Sequence, residues 1–172
     1  MKPRVKILAD TSVFIYFCRR LPLPAPVEQA LAAPDTERYL SPVTILELFR
    51  QWQRGTVLEN PDTWLDLALP SWRVLDVTVP IARQSALWDW PHKDPADRLL
   101  AATACVERVE LWHMDQTLKK FTGFPQRYFH NVLTQIESPK SRNLLGLAKG
   151  KIKFLDAPGK LTDTSGEWGE NQ

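Results

Sequence analysis

The chain has 172 residues, of which 44% are hydrophobic and 24% are charged, as in an ordinary soluble globular protein. This length predicts one domain of about 150 residues with an appendage, and no apolar run approaches the roughly 20 residues that a transmembrane helix needs. The net charge of +2 permits nucleic-acid binding without arguing strongly for it.

Short apolar segments alternate with helix-like segments along most of the chain. Strands are predicted at 5–9, 38–40, 72–78, 109–114 and 127–132. Helices are predicted at 11–20, 26–33, 42–54, 60–69, 80–90 and 95–107, and a short one follows Asp115 and ends at Phe121. This alternation predicts an α/β fold in which a mostly parallel sheet is covered by helices on both faces.

The composition changes near residue 137, because five of the seven glycines lie after residue 145. We therefore predict a domain over 1–136 and a C-terminal tail over 137–172. Cys18 and Cys105 lie in apolar, helix-like surroundings, which favours a reducing compartment over a disulfide framework. With no signal-peptide pattern at the N-terminus, we expect a cytoplasmic protein without a membrane partner.

Three aspartates are predicted to meet at one edge of the sheet. Asp10 and Asp115 each follow a predicted strand, and the carboxyl ends of parallel strands share one edge. Asp97 lies in the first turn of the helix "DPADRLLAATA", where the helix dipole favours an ionised acid. Clustered carboxylates raise one another's pKa unless a cation neutralises them, and their hard oxygen ligands suit Mg²⁺ or Mn²⁺.

Glu47 is ambiguous from periodicity alone. Apolar Ile45, Leu48, Phe49 and Trp52 form one face of its predicted helix, and Glu47 falls roughly opposite that stripe. This spacing predicts a solvent-exposed residue.

Four segments resemble PIN-domain ribonucleases, in particular VapC-type toxins of bacterial toxin–antitoxin systems. They are "ILADTSVFIYF", "SPVTILELFR", "HKDPADRLLAATA" and "LWHMDQTLKKF", in the family's order, and the likeness spans roughly residues 5–133. The resemblance implies a three-layer α/β/α fold, metal-dependent endoribonuclease activity, an RNA substrate and a homodimer. The family's catalytic metal-site positions match Asp10, Glu47, Asp97 and Asp115, so the resemblance overrules the periodicity of Glu47.

Several neighbouring residues have two open interpretations. Thr11 or Ser12 either orients Asp10 by hydrogen bonding or only caps the helix. Thr103 either lines the site or is an ordinary helix threonine. Arg98 contacts either a phosphate or an acid. Asp94 is read first as an N-cap, with a direct role in the site as the alternative.

Basic residues and histidines are also open to two interpretations. His113 either faces the site or is a strand histidine without a catalytic part, and the three histidines show no zinc spacing. Candidate contacts to an RNA backbone, each equally readable as part of a solvated surface, are Arg19, Arg20, Lys119 and Lys120.

The tail segment "LLGLAKGKIKFLDAP" is similar to the toxin-binding segment of Phd/YefM-type antitoxins. The partner is therefore expected to be a separate antitoxin or the chain's own tail, acting as a built-in inhibitor; a disordered tail is the alternative. A non-catalytic PIN-like module that binds RNA or protein is the competing function. A phosphoaspartyl phosphatase is disfavoured because Ser12 stands where that chemistry needs a second aspartate, and the chain has no P-loop motif.

Overall fold

The computed structural model describes residues 4–130, which form a parallel β-sheet flanked by helices. The strands are β1 (Lys6–Ala9), β2 (Glu37–Leu40), β3 (Arg73–Val74), β4 (Glu110–His113) and β5 (Gln126–Tyr128). The helices are α1 (Thr11–Cys18), α2 (Ala25–Ala32), α3 (Pro42–Gln53), α4 (Pro61–Ala68), α5 (Val79–Leu87), α6 (Pro95–Glu107) and α7 (Gln116–Lys119). The end of the strand predicted at 127–132 and the whole tail over 137–172 lie outside the described residues, so the proposed domain division stays a prediction.

The sheet has five strands in the order β3-β2-β1-β4-β5, and every neighbouring pair is parallel. Alternate residues of β1 point to opposite faces. Ile7 and Ala9 pack in a cluster with Phe14 of α1 and Trp72, whereas Leu8 packs on the other side with Leu100 of α6. Helices therefore cover both faces, which confirms the predicted three-layer α/β/α fold.

Helix starts follow the capping chemistry of the sequence. The Asp94 side chain accepts a 2.8 Å hydrogen bond from the amide of Ala96, and Pro95 occupies the first position of α6. The helix ends where Arg108 adopts a left-handed conformation with φ of 54°. The predicted range of 95–107 is thus confirmed. None of the helices within residues 4–130 is long and apolar enough to cross a membrane.

Among the predicted elements that lie wholly within residues 4–130, two end three or more residues earlier than expected. The strand predicted at 72–78 contains only Arg73 and Val74, because its one partner, β2, ends at Leu40 before the chain enters α3. The helix predicted at 80–90 ends at Leu87, and the segment over 88–94 that follows is extended at Trp88. We call residues 88–94 the approach loop, since they lead into α6.

The strand order changes direction between β1 and β4. The chain first adds β2 and β3 on one side of β1, and then returns to add β4 and β5 on the other side. The amide of Asp10, directly after β1, donates a 3.1 Å hydrogen bond to the carbonyl of Trp112 in β4. In open α/β sheets, ligands bind outside the carboxyl ends of the strands at such a switch point.

Candidate metal centre

A cleft of about 290 Å³ opens at this switch point. Its walls contain all four acids singled out in the sequence, which come from the ends of β1 and β4 and from α3 and α6. The lining residues are Asp10, Thr11, Ser12, Glu47, Gln51, Asp94, Asp97, Leu100 and Asp115. Four segments that are distant in sequence therefore bring carboxylates to one place.

Asp10 is the most deeply buried of these acids, with 7% of its surface exposed. It is the N-cap of α1, where its Oδ1 accepts a 2.7 Å hydrogen bond from the amide of Val13. Its Oδ2 accepts a second hydrogen bond, also 2.7 Å long, from the hydroxyl of Ser12. Of the two hydroxyl residues considered from sequence, Ser12 is therefore the one that orients Asp10.

Thr11 instead holds Glu47, since its hydroxyl donates a 2.6 Å hydrogen bond to Glu47 Oε2. Glu47 is half-buried in the cleft, so the exposed position predicted from periodicity was wrong. The buried face of α3 includes Thr44, which is fully buried and donates to the Ala9 carbonyl. Thr44 and Leu48 mark the buried face of α3, and Glu47 and Gln51 lie beside that face, on the side of the cleft. Because threonine is polar, a hydropathy pattern leaves Thr44 out of the buried face, and this is why the pattern placed Glu47 in solvent.

The other two acids are also held by hydrogen bonds. Asp97 Oδ2 lies 2.6 Å from Nε2 of His92 in the approach loop. Asp115 is the N-cap of α7, and its Oδ1 accepts hydrogen bonds from the amides of Thr117 and Leu118. Glu47, Asp97 and Asp115 are thus each anchored through one carboxylate oxygen, whereas Asp10 is held through both.

The cleft concentrates negative charge. Burial raises the pKa of Asp10 to about 7, and the charges of Glu47 and Asp97 act in the same direction, while the hydrogen bonds from Val13 and Ser12 lower it. Burial is also the main cause that raises the pKa of Glu47 and of Asp97. Among the residues described, no Lys or Arg forms an ion pair with any of the four acids.

The donor set suits a hard divalent cation. Glu47 Oε1, Asp97 Oδ1 and Asp115 Oδ2 accept no hydrogen bond from residues 4–130, so each is available as an oxygen ligand. In the side-chain positions described, no three His, Cys, Asp or Glu side chains already form a closed metal-binding group within that range. The charge and chemistry therefore fit a cation, which small side-chain movements would have to draw together.

Arg98 has a role that sequence reasoning missed. Its Nε donates to the Ser85 carbonyl at 2.7 Å. Its two terminal nitrogens reach the carbonyls of Trp88, Trp90 and His92 at 2.8, 2.6 and 3.2 Å. The sequence left a contact to a phosphate or to an acid as the two interpretations of Arg98. In the structure its guanidinium instead caps a carbonyl in the last turn of α5 and binds the approach loop.

His92 is a second residue that was missed, because no zinc-type spacing involves it. Its ring stacks on Trp90, with centroids 4.7 Å apart, and its Nε2 meets Asp97. The only available signal was its place five residues before Asp97 in "HKDPAD", which does not by itself indicate contact.

Other candidates lie away from the cleft walls. Thr103 is fully buried and its hydroxyl donates a 2.8 Å hydrogen bond to the Leu99 carbonyl, so it packs as an ordinary helix threonine and its proposed place in the site is not supported. His113 is fully buried and pairs with Gln126 at 2.8 Å. Arg19 forms a bidentate ion pair with Glu59.

A second cavity of about 420 Å³ adjoins the acidic cleft. The two share Ser12 and Asp115. Its other lining residues are mostly aromatic or polar, and they are Tyr16, Met114, Gln116, Tyr128 and His130. The amine of Lys119 lies 4.4 Å from the centre of the Tyr128 ring, which places a positive charge near this second cavity.

Comparison with solved structures finds the same fold in chains of bacterial complexes. One is VapBC2 from Rickettsia felis bound to a promoter DNA fragment, with a TM-score of 0.58, 15% identity, and coverage of 72% of this chain and 98% of the other. Another is a toxin–antitoxin complex from Klebsiella pneumoniae, with a TM-score of 0.55, 20% identity, and coverage of 73% and 99%. A third is DNA-bound VapBC from Salmonella typhimurium, with a TM-score of 0.54, 16% identity, and coverage of 72% of this chain and 98% of the other.

A comparison with curated protein sequences found no match. Residues 7–123, however, match the family model described as the PIN domain. This match spans all four acids of the cleft and the strands and helices that carry them. It confirms the family resemblance seen in the sequence: the chain belongs to the PIN-domain family.

Proposed function

We propose that this protein is a metal-dependent endoribonuclease of the VapC type, the toxin component of a toxin–antitoxin system. The observation that carries the proposal is the convergence of four carboxylates at the switch point of a PIN fold, none of them ion-paired with a Lys or Arg of residues 4–130. Carboxylates crowded together in this way are costly in a folded protein unless a cation binds them.

Asp10, Glu47, Asp97 and Asp115 would hold one or two Mg²⁺ or Mn²⁺ ions, and either metal suits oxygen ligands. When bound, such ions activate water and stabilise the negative charge that develops on a phosphodiester. The chain's own contribution is to hold the oxygen ligands in place. Ser12 fixes the buried Asp10, and Thr11 fixes Glu47.

The adjoining cavity supports a single-stranded RNA substrate. Nucleobases stack on aromatic side chains in single-strand recognition, and Tyr16, Tyr128 and His130 line this cavity next to the acidic cleft. The amine of Lys119 lies over the ring of Tyr128, which lines this cavity, and suits a phosphate contact. Arg19 is a weaker candidate for that role because it is paired with Glu59.

The partner is proposed to be an antitoxin protein. The similar folds described above were solved as VapBC or toxin–antitoxin complexes, and this is the support for an antitoxin here. The chain's own tail over 137–172 is the alternative inhibitor, and a homodimer is expected from the family. Free thiols at Cys18 and Cys105 fit the cytoplasm as the place of action.

The test is cleavage of a panel of structured RNAs by the purified full-length protein in Mg²⁺, in Mn²⁺ and in EDTA. Asp97→Asn should abolish metal-dependent cutting. Asp62→Asn is the matched control, because Asp62 also lies in the first turn of a helix but is exposed and outside the cleft. Stronger cutting by a 1–136 truncation would identify the tail as an inhibitor.

A non-catalytic module that binds RNA or protein remains the second candidate, since the aromatic cavity beside the cleft suits binding without any chemistry in the cleft. Titration of the protein with Mn²⁺ separates the two. Metal binding that Asp97→Asn removes, without cleavage of any RNA by the full-length or the truncated protein, would favour the binding module. Cleavage that depends on metal and on Asp97 would refute it.

A further inference from the structure

The approach loop delivers a histidine to one of the four acids. His92 Nε2 lies 2.6 Å from Asp97 Oδ2, and their side chains are only 14% and 22% exposed. A metal-binding Asp97 is ionised and can only accept a hydrogen bond, so in that state Nε2 carries the proton and donates it. One oxygen of Asp97 is thereby occupied, whereas Oδ1 has no hydrogen bond from the described residues.

The histidine ring is itself held in place. It stacks on Trp90 with an interplanar angle of 27°. Trp90 in turn stacks on Phe121 at 4.4 Å with an angle of 8°, and the Arg98 guanidinium lies 5.7 Å from the centre of the Trp90 ring. A ring packed in this way has few alternative rotamers, so its hydrogen bond has a fixed direction.

The backbone of the loop is fixed by the residue next to Asp97. Arg98 donates hydrogen bonds to the carbonyls of Trp88, Trp90 and His92. Asp97 and Arg98 are adjacent in the first turn of α6. Arg98 therefore binds the backbone of the approach loop, and His92 of the same loop binds the carboxylate of Asp97. The two contacts hold the loop and the first turn of α6 together.

We infer that His92 is a positioning residue that orients Asp97 for metal binding, with Nε2–H holding Oδ2 so that Oδ1 is presented as the ligand atom. The inference rests on the proposed metal-dependent function and deepens it. Hydrogen-bond partners behind metal ligands fix ligand orientation, and their removal typically costs about 10- to 100-fold in metal affinity or activity. We expect a loss in that range when the donor is removed.

Two substitutions separate the donor from the packing of the ring. His92→Phe keeps an aromatic ring to stack on Trp90 but has no donor, whereas His92→Gln keeps an N–H donor at a similar reach without the ring. Mn²⁺ affinity of each full-length variant is measured by isothermal titration calorimetry at constant pH. Thermal unfolding in EDTA confirms that each variant is folded.

His92→Phe should bind Mn²⁺ about 10- to 100-fold more weakly, and His92→Gln should stay within about threefold of the unsubstituted protein. Unchanged affinity in His92→Phe, or an equal loss in both variants, would overturn the inference, since the donor would then be irrelevant or the ring alone would matter. Failure of the proposed function looks different: the unsubstituted protein itself would show no Mn²⁺ binding that Asp97→Asn removes.

Discussion

Replacing Asp10 by asparagine should stabilise the metal-free protein at pH 8. Burial raises the pKa of Asp10 from 3.8 to about 7, a rise of about 3 units, and each unit corresponds to about 1.4 kcal/mol. Keeping Asp10 ionised in the folded state at pH 8 therefore costs about 4 kcal/mol. Asparagine is as good an N-cap as aspartate, although its hydrogen bond to Val13 is weaker by about 1 kcal/mol, so we expect a net gain of about 2 to 3 kcal/mol.

The gain should depend on pH with a definite sign. Because the folded-state pKa of Asp10 is raised, the folded protein binds more protons than the unfolded chain between about pH 4 and pH 7. The contribution of Asp10 to stability therefore falls as the pH rises through this window. The advantage of Asp10→Asn should be largest at pH 8 and should shrink towards zero near pH 4.

The assay is urea unfolding followed by tryptophan fluorescence, in EDTA, at several pH values from 4 to 8. Asp62→Asn is the control for removing an exposed carboxylate from the start of a helix, and its effect should be within about 0.5 kcal/mol. Saturating Mn²⁺ should reverse the order, because binding stabilises only the protein that keeps the ligand. Destabilisation by Asp10→Asn at pH 8 in EDTA, or a gain that does not vary with pH, would refute the reasoning.

Three further substitutions test other contacts. Thr11→Val removes the hydroxyl that holds Glu47 and should reduce RNA cleavage about tenfold, whereas Thr11→Ser should retain it. Equal cleavage rates for the two variants would contradict a supporting role for the hydroxyl. The lysine of Arg98→Lys cannot reach all four carbonyls, so this variant should lower the free energy of unfolding by about 2 kcal/mol or more. It should also speed hydrogen exchange in the approach loop. Unchanged exchange there would show that Arg98 does not hold the loop. Tyr128→Ala should weaken binding of single-stranded RNA by about 1 to 3 kcal/mol, as measured by fluorescence anisotropy in the Asp97→Asn background; unchanged RNA affinity would exclude stacking at this position. In the protein that keeps Asp97, Tyr128→Ala should leave the Mn²⁺ affinity unchanged.

The parts of the fold that local chemistry controls were predictable. Asp94 and Pro95 specify the start of α6, and the helix has the predicted bounds. The apolar strand segments followed by Asp10 and Asp115 were enough to predict that these acids meet, because a parallel sheet brings its carboxyl ends to one edge.

The contacts that depend on distant partners were not predictable from pattern. Glu47 is turned into the cleft because Thr44, a polar residue, lies in the buried face of α3 and bonds the Ala9 carbonyl. The early end of α5 is stabilised by Arg98, which comes more than ten residues after the helix. The guanidinium of Arg98 donates hydrogen bonds to the carbonyls of Ser85 and Trp88. Periodicity describes how apolar and polar residues alternate along one helix. It contains no information about which distant side chain will donate a hydrogen bond to a given carbonyl.

Because β1 lies between β2 and β4 in the sheet, the cleft can form only late in the synthesis of the chain. Among the strands within residues 4–130, β1 is synthesised first, yet one of its two neighbours, β4, pairs with it from about 100 residues downstream. Closing so long a loop is entropically costly and slows folding. Any nascent or truncated chain that stops before Asp115 lacks both the fourth acid and the completed sheet, so the proposed metal site cannot be complete until translation has passed that point.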